Sequence, residues 1–331
     1  MRVESAQRLT SRQQADVLGL VRNATQADRV APLSEQVLLS VLDGGPADDG
    51  PATGSRHLLA YDGMHLAGYA HLEDGADDAA ATAEVVTDPS TRHRGVGAAL
   101  VRGLEAACPA GPAHGRTLRL WSHGDLGAAR AFARRHGYST VRELWQMRRS
   151  LGPDAAPLPD ISLPEGFTTR HFVVGSDEEA WLRLNALAFV DHPEQGRMTR
   201  HDLDRRIAQE WFDAQGFILI EDTRGLTPVL AASHWTKVVP AGREGASQAV
   251  TPASPEVGEV YVVGVHPAYQ GLGLGRTVTV LGLEHLRGRG LSEAMLYVDA
   301  DNQAAVATYS RLDFARSAVD IMYSRIVHPP M

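Results

Sequence analysis

The chain has 331 residues, a formal net charge of −8 at pH 7, 44% hydrophobic residues and one cysteine, Cys108. That length suits about two domains, each with its own core, and the lone cysteine excludes an internal disulfide and reads as an ordinary helix-end thiol. Acidic clusters such as Asp74 to Asp78 and the lack of a basic stripe argue against nucleic acid, while a polar N-terminus and no apolar run near the ~18 residues of a membrane span argue against a membrane and point to the cytoplasm.

Thr10 and Ser11 are placed to cap a first helix that turns Val17, Leu18, Leu20 and Val21 inward. A second helix is expected over Ser34 to Leu42, followed by a Pro/Gly/Asp loop over Gly44 to Gly54. His57 to Tyr61 and Leu66 to Leu72 read as a hairpin turning at Asp62-Gly63. Beyond the acidic stretch Glu73 to Ala81, a strand at Thr82 to Thr87 leads into a glycine loop, a helix over Val96 to Ala107, a strand at Leu118 to Ser122, a helix over Ala128 to His136 and a strand at Val141 to Arg148.

The Pro-rich segment Gly152 to Pro164 has few apolar anchors and reads as a linker. It divides the chain into residues 1–150, a connection at 151–160, and residues 161–331. Ser176 with Glu179 suggests a capping box for a helix through Phe189, and another helix is expected over His201 to Phe212. Phe217 to Glu221 and Val229 to Lys237 read as a hairpin, and Pro240 to Glu256 as a low-complexity loop. A strand at Glu259 to Val265, a glycine loop, a helix over Gly275 to Arg287, a strand at Ala294 to Asp299, a helix over Ala304 to Leu312 and a strand at Val319 to Ser324 complete the second half. The halves share one order of elements, so the chain reads as two tandem copies of an α/β unit with a mixed sheet.

The two loops are Arg92-His93-Arg94-Gly95-Val96-Gly97 and Gln270-Gly271-Leu272-Gly273-Leu274-Gly275, each three residues after a proline, Pro89 and Pro267. Strand, glycine turn and helix start together aim backbone N–H groups and the positive helix end at one point, a site suited to a pyrophosphate. A dinucleotide fingerprint fails because Arg276 stands where a glycine is needed, and a P-loop fails because Gln270 does. No His/Cys/carboxylate cluster has metal-ligand spacing, and His114 and His123 read as surface residues. The chain holds a single lysine, Lys237, against a strong bias to arginine. It is either a chance survivor or the mark of a site that needs a compact ammonium.

The element order with the pattern Gln/Arg-x-x-Gly-x-Gly, at Gln270 to Gly275 and at Arg92 to Gly97, resembles the GNAT superfamily of acetyl-CoA-dependent N-acetyltransferases over essentially the whole chain. The segments Ala188 to Gly196, His234 to Lys237, Gly258 to Val265, and Leu296 to Val298 with Asp301-Asn302 are similar to those of the mycothiol synthase family. That resemblance implies acetyl transfer from acetyl-CoA to the cysteinyl amine of the small molecule Cys-GlcN-inositol; the lack of ligand spacing implies no metal, and a tandem pair standing in for a dimer implies a monomer.

The resemblance further implies that main chain at Val263, Gly264 and Val265 holds the pantetheine arm and thioester. Gln270, Gly271, Leu272, Gly273, Leu274, Gly275 and Arg276 would hold the pyrophosphate, and Asn302 the pantetheine. Glu259 is implied as base and Tyr309 as acid; on their own residue types, a solvated strand-edge carboxylate and a packed helix-face aromatic remain open. Glu35, Glu194, Lys237, Glu259 and Tyr297 are implied for the acceptor, although Glu35 also suits a helix start and Tyr297 a core strand position.

Superposing the repeats places Ala81 opposite Glu259, Leu126 opposite Asn302 and Ala133 opposite Tyr309. The first half therefore keeps a phosphate loop but lacks the base and acid. It either binds acetyl-CoA without turnover, through Val85, Val86, Thr87, His93, Arg94, Gly95, Val96, Gly97 and Ala98, or only buttresses its partner. Acetylation of another amine and a non-catalytic acetyl-CoA sensor remain the rival readings. Asp313, where this superfamily usually has glycine, is expected to adopt the left-handed turn that position needs.

Overall fold

A computed structural model describes residues 1–42, 55–74, 80–108, 115–190, 195–239 and 256–328. The first half runs β1 (Arg2–Ala6), α1 (Ser11–Asp28), α2 (Glu35–Leu42), β2 (Ser55–Asp62), β3 (His65–Asp74), β4 (Ala80–Thr87), α3 (Val96–Ala107), β5 (Arg116–Ser122), α4 (Gly127–Arg135) and β6 (Ser139–Ser150). The second repeats the order as β7 (Phe167–His171), α5 (Glu178–Ala188), α6 (Arg200–Ile207), β8 (Phe217–Asp222), β9 (Val229–Val239), β10 (Val257–Val265), α7 (Leu274–Gly288), β11 (Glu293–Asp299), α8 (Gln303–Ser310) and β12 (Ala315–Val327). No helix of the described residues is long and apolar enough to cross a membrane.

The two halves do not form separate sheets. One 12-stranded sheet runs β1-β2-β3-β4-β5-β12-β6-β11-β10-β9-β8-β7. The last strand of each half has crossed over: β12 pairs antiparallel with β5 of the first half, and β6 pairs antiparallel with β11 of the second. Between them, β6 and β12 pair with each other. On one face α3 packs on Leu58, Ala70, Leu72, Leu118 and Leu120, and α7 on Val260, Leu296, Ile218 and Ala232. On the other, α1 and α2 cover Leu59, Tyr69 and Val86, while α5 and α6 cover Phe217, Leu219, Trp235 and Val262. Alternation along each strand sorts these side chains to the two faces.

Local chemistry explains most element boundaries. Thr10 accepts from the Gln13 amide at 3.3 Å while the Gln13 side chain accepts from the Thr10 amide at 3.0 Å, closing the expected cap on α1. Asp313 is left-handed at φ 66°, in the turn before β12. Other expectations need correction. The box proposed for Ser176 and Glu179 does not form, because Asp177 turns to the Arg170 guanidinium at 2.6 and 2.9 Å and to the Val173 amide at 2.8 Å, and α5 starts only at Glu178. The helix expected through Phe212 stops at Ile207. Two short edge strands, β1 and β7, lack a long enough apolar alternation to be read in advance, and β12 extends well beyond Val319 to Ser324. The loops expected at Gly44 to Gly54 and across Pro240 to Glu256 lie outside the described residues, apart from Glu256.

Candidate active site

In the second half, β10 and β11 run parallel and are paired only at Gly258↔Ala294, Glu259↔Met295 and Val260↔Leu296. Both strands continue, so they fork: among the described residues Val262 to Val265 keep β9 as their only strand neighbour, with a bulge in that ladder at Tyr261. Backbone polar groups on the open side of β10 are left for another partner. Past the fork the chain makes a tight turn at Pro267–Tyr269, passes Gln270, and takes left-handed conformations at Gly271 (φ 82°) and Gly273 (φ 79°) before α7. Gly273 is the N-cap and offers no side chain. A Cβ on Gly275 would stand 3.3 Å from Val265 Cγ2, so the helix start is seated on the strand end. The first-turn N–H groups of α7 and its positive end thus face the mouth of the fork, and this cradle fits a diphosphate. An open depression of about 300 Å³ beside it is lined by Asp160, Ser162, Pro164, Leu272, Gly273, Arg276, Thr277 and Val280.

Where the fork opens, the face carrying α5 and α6 holds a buried charged cluster. Glu259 and Lys237 are cross-strand partners on β10 and β9, and Lys237 Nζ lies 2.5 Å from Glu35 Oε1, which α2 of the first half delivers. Glu35, Lys237 and Glu259 are 8%, 7% and 5% exposed, so these charges act with little solvent screening. The Tyr261 hydroxyl donates to Glu35 Oε2 at 3.0 Å, and Lys237 Nζ sits 4.6 Å over the Trp211 ring and 5.0 Å over that of Tyr261. Glu259 Oε2 is buried without a hydrogen-bond partner among the described residues. Burial pushes the Glu259 carboxyl up to about 7, the Lys237 charge opposes that, and the Glu35 charge adds to it. A carboxyl poised there can take or hold a proton at neutral pH.

Apart from Glu194, the remaining expected residues are carried by β11 and α8, and Tyr309 packs with Val260, Val280 and Leu296 on the face that holds α7, not on the face of the charged cluster. Tyr297 stands on β11 two residues beyond the partner of Glu259 and accepts from Gln146 Nε2 at 3.0 Å, a side chain on the exchanged strand β6. Asn302 is the N-cap of α8, accepting from the Ala305 amide at 3.1 Å. Tyr309, further along α8, packs its half-buried ring edge-on against Phe314 at 5.9 Å, and burial pushes its hydroxyl up to about 12. Glu194 lies outside the described residues. Sequence reasoning missed Tyr261, Trp211, Arg206 and Gln146. Only Tyr261, next but one to Glu259, carried a signal.

Comparison with known proteins bears on this geometry. Residues 181–314 match the model of the Acetyltransferase (GNAT) family, and residues 53–140 that of an Acetyltransferase (GNAT) domain. A protein of Geodermatophilus obscurus named mycothiol acetyltransferase is 49% identical over 98% of this chain and 97% of its own length, and one of Thermomonospora curvata with the same name is 48% identical over 95% and 94%. The chain belongs to the mycothiol acetyltransferase family. Among solved structures, a tandem GNAT protein from the clavulanic acid biosynthesis pathway aligns over all of both chains with a TM-score of 0.68 at 18% identity. A GCN5-related N-acetyltransferase of Sphaerobacter thermophilus aligns over 99% and 97% with a TM-score of 0.65 at 23% identity. Both share the tandem fold. A mycothiol acetyltransferase is an N-acetyltransferase that takes its acetyl group from acetyl-CoA, and the diphosphate of that donor is the group the α7 cradle suits.

The first half of this mycothiol acetyltransferase family member repeats the fork and the glycine loop and not the charged cluster of Glu259. β4 and β5 pair in parallel from Ala80↔Thr117 to Glu84↔Trp121 and then part, leaving Val85 to Thr87 on a second fork. The loop follows the same path, with His93 (φ 62°) where the second half has Gly271, Gly95 (φ 84°) as N-cap of α3, and Arg94, Val96, Gly97 and Ala98 around it. Arg92 is engaged elsewhere, donating twice to Asp28 at 2.7 and 2.6 Å. Ala81 stands where the second half has Glu259, and Leu126 caps α4 without a side-chain bond where Asn302 caps α8. Near the fork, His123 Nδ1 is 3.0 Å from Asp320 of β12, and its Nε2 is 3.7 Å from Glu84, too far for a hydrogen bond but close for charges. His123 is therefore not a surface residue, as the sequence suggested, because the exchanged strand brings Asp320 over it. Burial works against its charge, but the bond to Asp320 and the two carboxylates hold it up to about 10.

Proposed function

We propose that the second half transfers the acetyl group of acetyl-CoA to the cysteinyl amine of Cys-GlcN-inositol, giving mycothiol and CoA. The observation that carries this reading is Glu259: a buried carboxyl at the mouth of a strand fork, raised to about 7, with one oxygen unpartnered among the described residues. An α-amine titrates near about 8 and is mostly protonated at neutral pH. Glu259 takes its proton, directly or through a water, and the nitrogen attacks the thioester carbon.

Main-chain groups of Val263, Gly264 and Val265 on the open side of β10 hold the pantetheine arm and the thioester oxygen; donors of that kind contribute about 3 kcal/mol to a transition state. As the C–N bond forms and the C–S bond breaks, the thiolate takes the Tyr309 hydroxyl proton, kept in place to about pH 12 by burial. Gln270 to Arg276 bind the pyrophosphate and Asn302 the pantetheine. Glu35, Glu194, Lys237 and Tyr297 receive the hydroxyl-rich acceptor, so residues 161–331 form the catalytic domain and residues 1–150 complete its acceptor site. The first fork, with its Val85 to Thr87 strand and His93 to Ala98 loop, binds acetyl-CoA without turnover. The enzyme acts as a monomer in the cytoplasm.

The test is CoA thiol release from acetyl-CoA with Cys-GlcN-inositol, beside free cysteine and a generic peptide amine. Fast release with the pseudodisaccharide alone is the expected result. Equal rates on simple amines would move the substrate, and tight acetyl-CoA binding with no release would favour a sensor.

A further inference from the structure

The acceptor cluster is assembled across 202 residues of sequence, from Glu35 to Lys237, and the ion pair alone does not fix where α2 sits. Arg206 of α6 supplies the missing constraint. Its Nε donates to the Tyr261 hydroxyl at 2.8 Å, its Nη2 to Gln36 Oε1 at 2.9 Å and its Nη1 to the Asp202 carbonyl at 3.0 Å. It is only 9% exposed, so these are bonds from a largely desolvated, planar cation whose fork fixes direction as well as distance. Because the Tyr261 oxygen accepts from Arg206, its proton is aimed at Glu35 Oε2. One guanidinium thus orients the donor to Glu35 and grips the residue next to it on α2.

We propose that Arg206 is a positioning residue of the acceptor site, holding α2 and the Glu35 carboxylate in register with Lys237 and Glu259 through Tyr261 and Gln36. The proposal rests on the acetyltransfer reading above and assigns to Arg206 the part of acceptor affinity that Glu35 provides. Nothing in the arrangement touches the α7 cradle, so the effect is confined to the acceptor. Lysine has no planar fork and reaches either Tyr261 or Gln36, not both.

The experiment measures KM for each substrate, kcat and thermal midpoint in wild type, Arg206→Gln, Arg206→Lys and Tyr261→Phe. Arg206→Gln is expected to raise the acceptor KM about ten- to a hundredfold, the range of a lost hydrogen bond to a charged group, and to leave the acetyl-CoA KM within about twofold. Arg206→Lys should fall between. Tyr261→Phe, which removes one hydroxyl and keeps the ring packing on Trp211 and Trp235, should raise the acceptor KM about tenfold and leave the acetyl-CoA KM within about twofold. An unchanged acceptor KM in Arg206→Gln and Tyr261→Phe, or equal rises in both KM values, overturns the proposal. If the wild type prefers a different amine, that amine's KM is read instead. Wild-type protein that acetylates no amine overturns the functional reading and this inference with it.

Discussion

Glu259 and Lys237 face each other across two strands because the register of β9 and β10 puts them there, and Glu35 arrives from a helix more than two hundred residues earlier. In that buried space Lys237 pairs with Glu35, and Glu259 is raised to about 7 by burial first, with the Glu35 charge adding to it against the opposing charge of Lys237. Tyr309 has a simpler environment: burial alone pushes its hydroxyl up to about 12. Its proposed role as acid predicts that Tyr309→Phe lowers kcat about a hundredfold, leaving the acetyl-CoA KM little changed. Steady-state kinetics at pH 8 checks this, and a loss of less than about threefold would assign the thiolate proton to water.

At the scale of elements, the fork between β10 and β11 and the cradle of α7 make the proposed donor site from backbone. Gly273 has open space around its missing Cβ, so alanine there meets no clash and feels only the left-handed conformation. That strain is about 1–2 kcal/mol, and Gly273→Ala should raise the acetyl-CoA KM roughly 5- to 30-fold while sparing that of the acceptor. Titration of acetyl-CoA binding by calorimetry measures it; an unchanged Kd would remove the loop from the donor site. These glycines were legible in the sequence because positive φ restricts residue type, and Asp313 was legible for the same reason. Lys237 stood out because composition isolates it. The crossing of β6 and β12 was not legible, since an alternating strand pattern fits any neighbour of like polarity. Arg206 and His123 were hidden for the related reason that their partners, Gln36 and Asp320, lie 170 and 197 residues away.

For the whole molecule, the strand exchange means that neither half has a complete sheet without the other. Glu84, His123 and Asp320 hold one crossing as a buried cluster of charges, Glu84 and His123 from the first half and Asp320 from the last strand. Burial by itself would raise the Glu84 carboxyl, but His123 and the Ser34 amide outweigh it and hold Glu84 below its ordinary range. His123 is held up to about 10, above its ordinary 6.5. Its contribution to stability is therefore complete below pH 6.5 and lost as pH rises through about 10, whereas that of Glu84 is complete above its ordinary 4.5 and lost as pH falls. His123→Gln should cost about 3–5 kcal/mol at pH 6, with the gap to wild type narrowing by pH 10. Urea unfolding at the two pH values checks the sign, and a gap that does not narrow contradicts a charged His123.

Among the described residues two strand forks of one kind are present, and the proposed acceptor cluster of Glu35, Lys237 and Glu259 draws on both halves and is the proposed place of all turnover. The most direct measurement is kcat/KM for acceptor acetylation from pH 5.5 to 9 in wild type and Glu259→Gln. Wild type is predicted to lose rate on the acid side of about pH 7, where Glu259 gains its proton, and the variant to be slower by about a hundredfold or more, with only the limb of the amine itself near pH 8. A variant that keeps half of the wild-type rate or more, with the limb near pH 7 in place, would put the base elsewhere or give the first half an activity of its own.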